Sequence, residues 1–390
     1  MIDYLSLSIT LFSLAIGSAI AIRFKVPSVI IFLLIGALIG TYNLAGPNSQ
    51  LIGYLGQLGS ILLLFVIGAE FSVGDMVKTG IRTPIVIAVI ETLVSFAILF
   101  LIFAIKLPAI PAMLLALAFS ITSTGVTLKL FQALDLKKLN ISLILKINII
   151  EDLMAVFIYS AISSFSVMKA YQPVTGLVIS LVSSLVLFIV AYYVFAFASD
   201  FIINRYRIHE EDLLSIVLGV LLLFVYFATS LGLSAAFGAY IAGSIINRWK
   251  KKFAGLEEDL RKFSYIFISF FFLTVGLQVN LDTVDFALVL LVLPVIMAVK
   301  FLSVYLGTFA ATRQYKTSLF TSLGMLSKGE LSLVIISSAV SSSLLPSSFL
   351  GFAAFTVFFS ALISYIALIR GERLYNTLLY KISGIGRFRA

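Results

Sequence analysis

The chain contains no cysteine, so neither disulfides nor thiolate metal sites are available to it. Its single histidine, His209, lies in a charged loop, which all but excludes His-based metal clusters and His-activated nucleophiles. Charge is scarce too. Only 12% of the 390 residues are Asp, Glu, Lys or Arg, against about a quarter in soluble domains. Apolar surface takes the place of charge: 61% of the residues are hydrophobic and the mean hydropathy is +1.15. Such a composition belongs in a lipid bilayer. A spanning helix needs about 20 mainly apolar residues, and stretches such as 84–105, 174–199 and 286–312 meet that need repeatedly.

The first apolar run is too long for a secretory signal, its basic residues Arg23 and Lys25 follow the run, and no small-residue cleavage site is evident. It reads as a retained first span. Hydropathy and breaker residues together give thirteen candidate spans: 3–24, 27–42, 51–72, 83–105, 109–134, 139–167, 174–203, 212–231, 234–247, 258–280, 284–312, 316–341 and 346–369. Pro27, Pro84, Pro108, Pro111, Pro173 and Pro346 fall at or near starts, where proline suits a helix's first turn.

The formal charge of +9 could suggest nucleic acid, but its distribution follows topology instead. Of 27 Lys and Arg, the odd-numbered loops with their flanking span ends and the C-terminal tail hold 21, the even-numbered loops hold only Lys106 and Lys169, and Lys129, Lys146, Lys300 and Lys328 lie deeper within spans. By the positive-inside rule the N-terminus is outside and the C-terminus cytoplasmic, in a multi-pass protein of the cell membrane. Lys129 and Lys146 lie near cytoplasmic ends and can snorkel; Lys300 and Lys328 cannot easily do so.

An odd number of spans allows two halves of inverted orientation, about 1–168 and 212–370, joined by a linker helix at 174–203. The fifth span is interrupted at Ser120-Ile121-Thr122-Ser123-Thr124-Gly125 and the twelfth at Ser327-Lys328-Gly329-Glu330, and the two cross the membrane in opposite directions. Polar, Gly-interrupted segments at matching places in two halves point to a transporter's midplane site. A plainer reading has Ser and Thr bonding back to their own helix and Gly packing against a neighbour. The small-residue run Ser234 to Gly243 suggests tight packing, within the protomer or across a dimer.

A charge at the bilayer centre costs roughly 2.5–3.5 kcal/mol even on lenient scales, so each one needs a reason. Glu70, Glu91, Glu151, Asp152, Glu330, Lys300 and Lys328 qualify. Asp152 lies about 13 residues, roughly 20 Å, into its span, near the middle of a hydrocarbon layer about 30 Å thick. Lys300 reaches a similar depth from the other side, and both interruptions lie at that level. Adjacent residues on a helix point about 100° apart, so one of Glu151 and Asp152 can serve an ion while the other faces a neighbouring helix. Carboxylate and carbonyl oxygens freed at a helix break suit a hard monovalent cation, and the same carboxylate can take H⁺ instead. A structural ion pair tying Glu151, Asp152 and Lys300 is the plainer alternative, though buried pairs usually cost more than apolar packing. Glu70, near a cytoplasmic end, reads as structural. Glu91 lies near the position that the repeat pairs with Lys300, and its role is open. Lys328 and Glu330 are expected to offset the half-helix dipoles rather than to ligate the ion.

These residues resemble the monovalent cation:proton antiporter-2 family. The similar stretches are Val26 to Gly40, Leu62 to Glu70, the Ser/Thr-rich break after Phe119, Ile149-Ile150-Glu151-Asp152-Leu153, Ser234 to Gly243, Phe271 to Gly276, and Gly329-Glu330-Leu331. Each alone is weak; their order and spacing over about 350 residues are specific. The resemblance implies a homodimer with a dimerisation domain and a mobile core of crossed, broken helices, working by elevator-type alternating access. It implies that Asp152 is the essential ion-binding residue and that Lys300 is the basic residue of electrogenic members. Glu151 stands where relatives have Asp, Gln or Asn. The expected activity is exchange of Na⁺, or K⁺, for H⁺, involving Asp152, Glu151, Lys300, Thr122, Ser123 and Thr124. The resemblance implies no catalytic residue and no cofactor beyond the transported ions. Many relatives continue into a cytoplasmic nucleotide-binding domain, whereas this chain stops at Ala390 after a short basic tail.

Three rival readings fit less well. A sodium-coupled organic anion symporter resembles the same architecture but needs a cationic substrate cavity, and no spare buried Arg is evident. A channel would use the acids as a selectivity ring. An intramembrane protease lacks its Gly-x-Gly-Asp motif, Ser72-Val73-Gly74-Asp75 being a partial match in a loop, and has no membrane histidine to activate a serine.

Overall fold

A computed structural model describes residues 4–24, 28–42, 50–70, 80–124, 126–127, 141–168, 210–230, 234–247 and 255–386, with isolated positions between 182 and 253. The linker helix expected at 174–203 falls largely outside the described residues, as do Lys129, His209 and the Ser72–Asp75 match. Among the described residues the chain is entirely helical. The helices are α1 (Tyr4–Phe24), α2 (Ser28–Thr41), α3 (Gln50–Glu70), α4 (Arg82–Ala104), α5 (Ala109–Ser120), α6 (Ile141–Met168), α7 (Glu210–Ser230), α8 (Ala235–Ile246), α9 (Leu256–Leu277), α10 (Phe286–Thr312), α11 (Tyr315–Gly324), α12 (Glu330–Ser341) and α13 (Ser348–Gly386).

Seven of them, α1, α3, α4, α7, α9, α10 and α13, are long and apolar enough to cross a membrane. The chain is a multi-pass membrane protein, and most helix ends agree with the hydropathy spans to within two or three residues. Two spans do not remain single helices. The fifth ends its first half at Ser120, where Ile121 turns extended (φ −85°, ψ 156°). The twelfth divides into α11 and α12, with Gly329 extended between them. Both breaks fall at the polar interruptions expected from the sequence, after Ser120 in the fifth span and ahead of Glu330 in the twelfth. α13 continues beyond the expected end, running to Gly386 as one helix.

Local chemistry sets several starts. The Ser234 hydroxyl accepts the Phe237 N–H at 3.2 Å at the head of α8, and the Asp285 carboxylate accepts the Leu288 N–H at 2.9 Å at the head of α10.

The helices pack in two groups. In one, α9 lies against α2 and α3, α3 against α8, and α8 against α7. In the other, α4 lies against α10, α5 and α6, while α12 meets α5 and α13, and α10 meets α11. Glycine allows the close approaches of the first group. A methyl on Gly36 would lie 2.9 Å from the Gly276 Cα, and one on Gly243 would lie 2.7 Å from the Ala69 nitrogen. The small residues of α8 therefore serve packing within the protomer, against α3 and α7.

Candidate functional site

The two breaks cross. The Ser123 N–H donates to the Ser327 carbonyl at 2.9 Å, joining backbone orphaned by one break to backbone orphaned by the other. Hydroxyls satisfy neighbouring carbonyls: Thr122 donates to Met325 O at 3.2 Å, Thr127 to Gly324 O at 3.3 Å, and Ser332 to Ala118 O at 2.6 Å. The charges at the crossing are placed by helix polarity. The Lys328 ammonium, fully buried, donates to the Ile121 carbonyl at 3.1 Å at the C-terminal end of α5. Glu330 stands in the first turn of α12 and accepts the Ser123 hydroxyl at 2.8 Å. A cation at a helix C-terminus and an anion at an N-terminus both offset the macrodipole.

Beside the crossing lies a buried three-residue cluster. Lys300 of α10 donates to Glu91 Oε2 at 2.6 Å, to the Ser120 carbonyl at 2.6 Å, and to Glu151 Oε1. All three side chains are fully buried. An ammonium has three N–H donors, and here each has an acceptor. The Ser120 carbonyl is available because α5 stops there. Glu91 is further held by the Thr92 hydroxyl at 3.0 Å.

Glu151 and Asp152 diverge, as adjacent residues on one helix must. Glu151 faces Lys300, with the Thr122 hydroxyl at 3.5 Å, and its second oxygen, Oε2, is buried without a partner. Asp152 is 5% exposed, and its one neighbour within hydrogen-bond distance is the Thr124 hydroxyl at 3.3 Å. No basic residue pairs with Asp152 among the described residues. Glu70 sits exposed at the end of α3.

Of the residues singled out in the sequence, Glu91, Glu151, Lys300 and Thr122 form one contiguous cluster, and Asp152 with Thr124 lies beside it. Ser123 serves the crossing instead, through Glu330. Asn148 escaped sequence reasoning. It precedes Glu151 by three residues and Asp152 by four, so on α6 it stands one turn below and between them. It is fully buried, and neither amide atom has a partner among the described residues. A lone Asn in an apolar span was the available signal.

A polar cavity of about 560 Å³ lies between the two helix groups, lined by hydroxyl and amide side chains that include Ser60, Gln57, Tyr159, Ser163 and Ser338, and by no charged side chain among the described residues. Tyr159 and Ser163 follow Asp152 by seven and eleven residues on the same stripe of α6. The cavity floor at Tyr159 is therefore about 10 Å along the helix from Asp152.

Comparison with known proteins follows the same lines. A family model described as sodium/hydrogen exchanger, transmembrane, matches residues 9–369. A Na(+)/H(+) antiporter of Enterococcus hirae is 25% identical over 93% of this chain and 96% of its own length. The K(+)/H(+) antiporter subunit KhtU of Bacillus subtilis is 25% identical over 93% of this chain and 92% of its own. The structure of the sodium proton antiporter MjNhaP1 from Methanocaldococcus jannaschii superposes with a TM-score of 0.72 at 19% identity, covering 93% of this chain and 95% of that one.

Proposed function

The chain belongs to the sodium/hydrogen exchanger family, and from that premise we propose that it exchanges Na⁺ for H⁺, with K⁺ the nearest alternative cation, at Asp152. It is a transporter of monovalent cations and protons, not an enzyme; the cation preference and the route are the reading offered here. The observation that carries it is the isolation of Asp152. Lys300 is engaged by Glu91 and Glu151, one ammonium shared between two acids, which leaves the Asp152 carboxylate in a low-dielectric site with one hydroxyl and no basic partner among the described residues. A buried carboxylate must either take a proton or gain a cation. Either occupant serves, and the two compete. That competition is sufficient for antiport.

The cation's remaining ligands would be oxygens within reach of α6: the Thr124 hydroxyl, the Glu151 Oε2 and the Asn148 amide oxygen, the last two without hydrogen-bond partners among the described residues. A cation drawn to Glu151 competes with Lys300 for that carboxylate. Two acids with a lysine beside them favour an exchange that moves net charge. The hydroxyl-lined cavity between the helix groups supplies a path from one membrane face. Sliding of the group that carries the crossing against the group built on α2, α3, α8 and α9 would expose the site alternately, the latter group forming the contact of a homodimer. The same reading has the C-terminus in the cytoplasm, which the basic loops support, and takes residues 1–168 and 212–370 as inverted halves.

In proteoliposomes with an internal pH dye, the wild type is expected to release protons on addition of Na⁺ or K⁺, and Asp152→Asn to abolish the signal. Ion-dependent dequenching retained by Asp152→Asn would overturn the site. An imposed membrane potential is expected to change the rate; a rate indifferent to voltage would overturn charge movement while leaving the exchange intact.

A further inference from the structure

One acid is enough to pair with a buried ammonium, and Lys300 has two. Glu91 and Glu151 both accept from it, and all three side chains are fully buried. A second carboxylate taken out of water adds its own desolvation cost and brings no further positive charge to offset it. The surplus acid needs a reason beyond tying helices together.

The two acids are held differently. Both oxygens of Glu91 are engaged, Oε2 by the Lys300 ammonium at 2.6 Å and Oε1 by the Thr92 hydroxyl at 3.0 Å. The helices that carry this pair are locked together as well. α10 runs so close to α4 that a methyl on Gly307, two turns from Lys300, would lie 3.0 Å from the carbonyl oxygen of Ile87, one turn from Glu91. Glu151 stands instead on α6, which packs chiefly against α4 and α5. Its Oε2 is buried without a hydrogen-bond partner among the described residues, and the next residue in the chain is Asp152. Glu151 is thus placed to turn toward a cation, and Glu91 to stay where it is.

We propose that Glu91 is a positioning residue that retains Lys300 when the transported cation takes Glu151, a role that rests on Asp152 and Glu151 forming the exchange site. The three N–H donors of Lys300 meet Glu91, Glu151 and the Ser120 carbonyl. When Glu151 turns to the cation one acceptor is lost, and a carboxylate and a carbonyl remain. The ammonium keeps its counter-charge. Without the charge of Glu91 it would be left buried with no anion beside it, a state costly enough to hold Glu151 in the ion pair and keep the cation out. A direct ligand role is the competing use of Glu91, and the geometry opposes it. Lys300 covers one of its oxygens and the Thr92 hydroxyl the other.

Glu91→Gln tests this, because it keeps the size of the side chain and an acceptor oxygen for Lys300 and removes only the charge. Exchange in proteoliposomes is measured against cation concentration, with Na⁺ and with K⁺, for the wild type, Glu91→Gln and Glu91→Asp, and the thermal unfolding midpoint is taken on the same preparations. Glu91→Gln is expected to raise the apparent KM about tenfold, roughly 1.4 kcal/mol, while the maximal rate falls by less than about threefold. Its midpoint should stay within about 2 °C of the wild type or rise above it, since the Lys300–Glu151 pair remains whole. Glu91→Asp keeps the charge and should hold the KM within about threefold of the wild type. An unmoved KM in Glu91→Gln overturns the proposal, as does exchange lost at every cation concentration, or a KM raised as far by Asp as by Gln. A Gln variant that unfolds well below the wild type assigns Glu91 to the fold alone and overturns it too. Exchange retained by Asp152→Asn is a separate failure, which removes the site on which this role depends. If Asp152→Asn abolishes exchange and Glu91→Gln leaves the KM unmoved, the site stands and only the role of Glu91 falls.

Discussion

Replacing Lys300 by Met, a side chain of similar length and no charge, leaves Glu91 and Glu151 facing one another in a fully buried pocket. Removing one partner of a buried ion pair typically costs about 3–5 kcal/mol, because the other charge is left uncompensated. A kilocalorie shifts the unfolding midpoint by about 2 °C in a large domain, so the variant should unfold about 6–10 °C below the wild type near neutral pH. Neutralising all three groups, in Lys300→Met/Glu91→Gln/Glu151→Gln, removes the uncompensated charge and should restore the midpoint to the wild-type value or above, as when buried ionic clusters are replaced by neutral side chains. The assay is thermal unfolding of the purified protein in detergent. A single variant within a degree of the wild type would refute the reasoning, and so would a triple variant as unstable as the single one.

Thr124→Val removes the hydroxyl that meets Asp152 at 3.3 Å and should raise the apparent KM for the cation roughly tenfold in proteoliposome exchange, the worth of one hydrogen bond to a charged group. Asn148→Ala is expected to weaken cation affinity and to alter the ranking of Na⁺, K⁺ and Li⁺; an unchanged ranking would remove Asn148 from the ligand set. Gly329→Ala would place a methyl 3.0 Å from the Ser123 Cα, too close for the two breaks to cross. It should lower stability by about 1–3 kcal/mol and suppress exchange, measured together on one preparation.

Composition and hydropathy determined the class of this protein and the ends of most of its helices. The bilayer imposes a local rule, about 20 apolar residues for each crossing, and a local rule can be read from a linear sequence. The same locality exposed Glu151, Asp152, Glu91 and Lys300, since a charge in an apolar run is conspicuous wherever the run packs. Tertiary structure decided which of them meet. Glu91 and Lys300 are 209 residues apart in the chain, and Glu151 and Lys300 are 149 apart. Their contact depends on how α4, α6 and α10 are rotated against one another, which no periodicity within a single helix specifies. The Ser120 carbonyl became a ligand of Lys300 only because α5 stops there, and α5 stops there because Ser327 of the other break takes the Ser123 N–H. Asn148 is polar in any reading of the sequence. Its lack of a partner, which draws it into the proposed ion site, is a property of the packed helices around it.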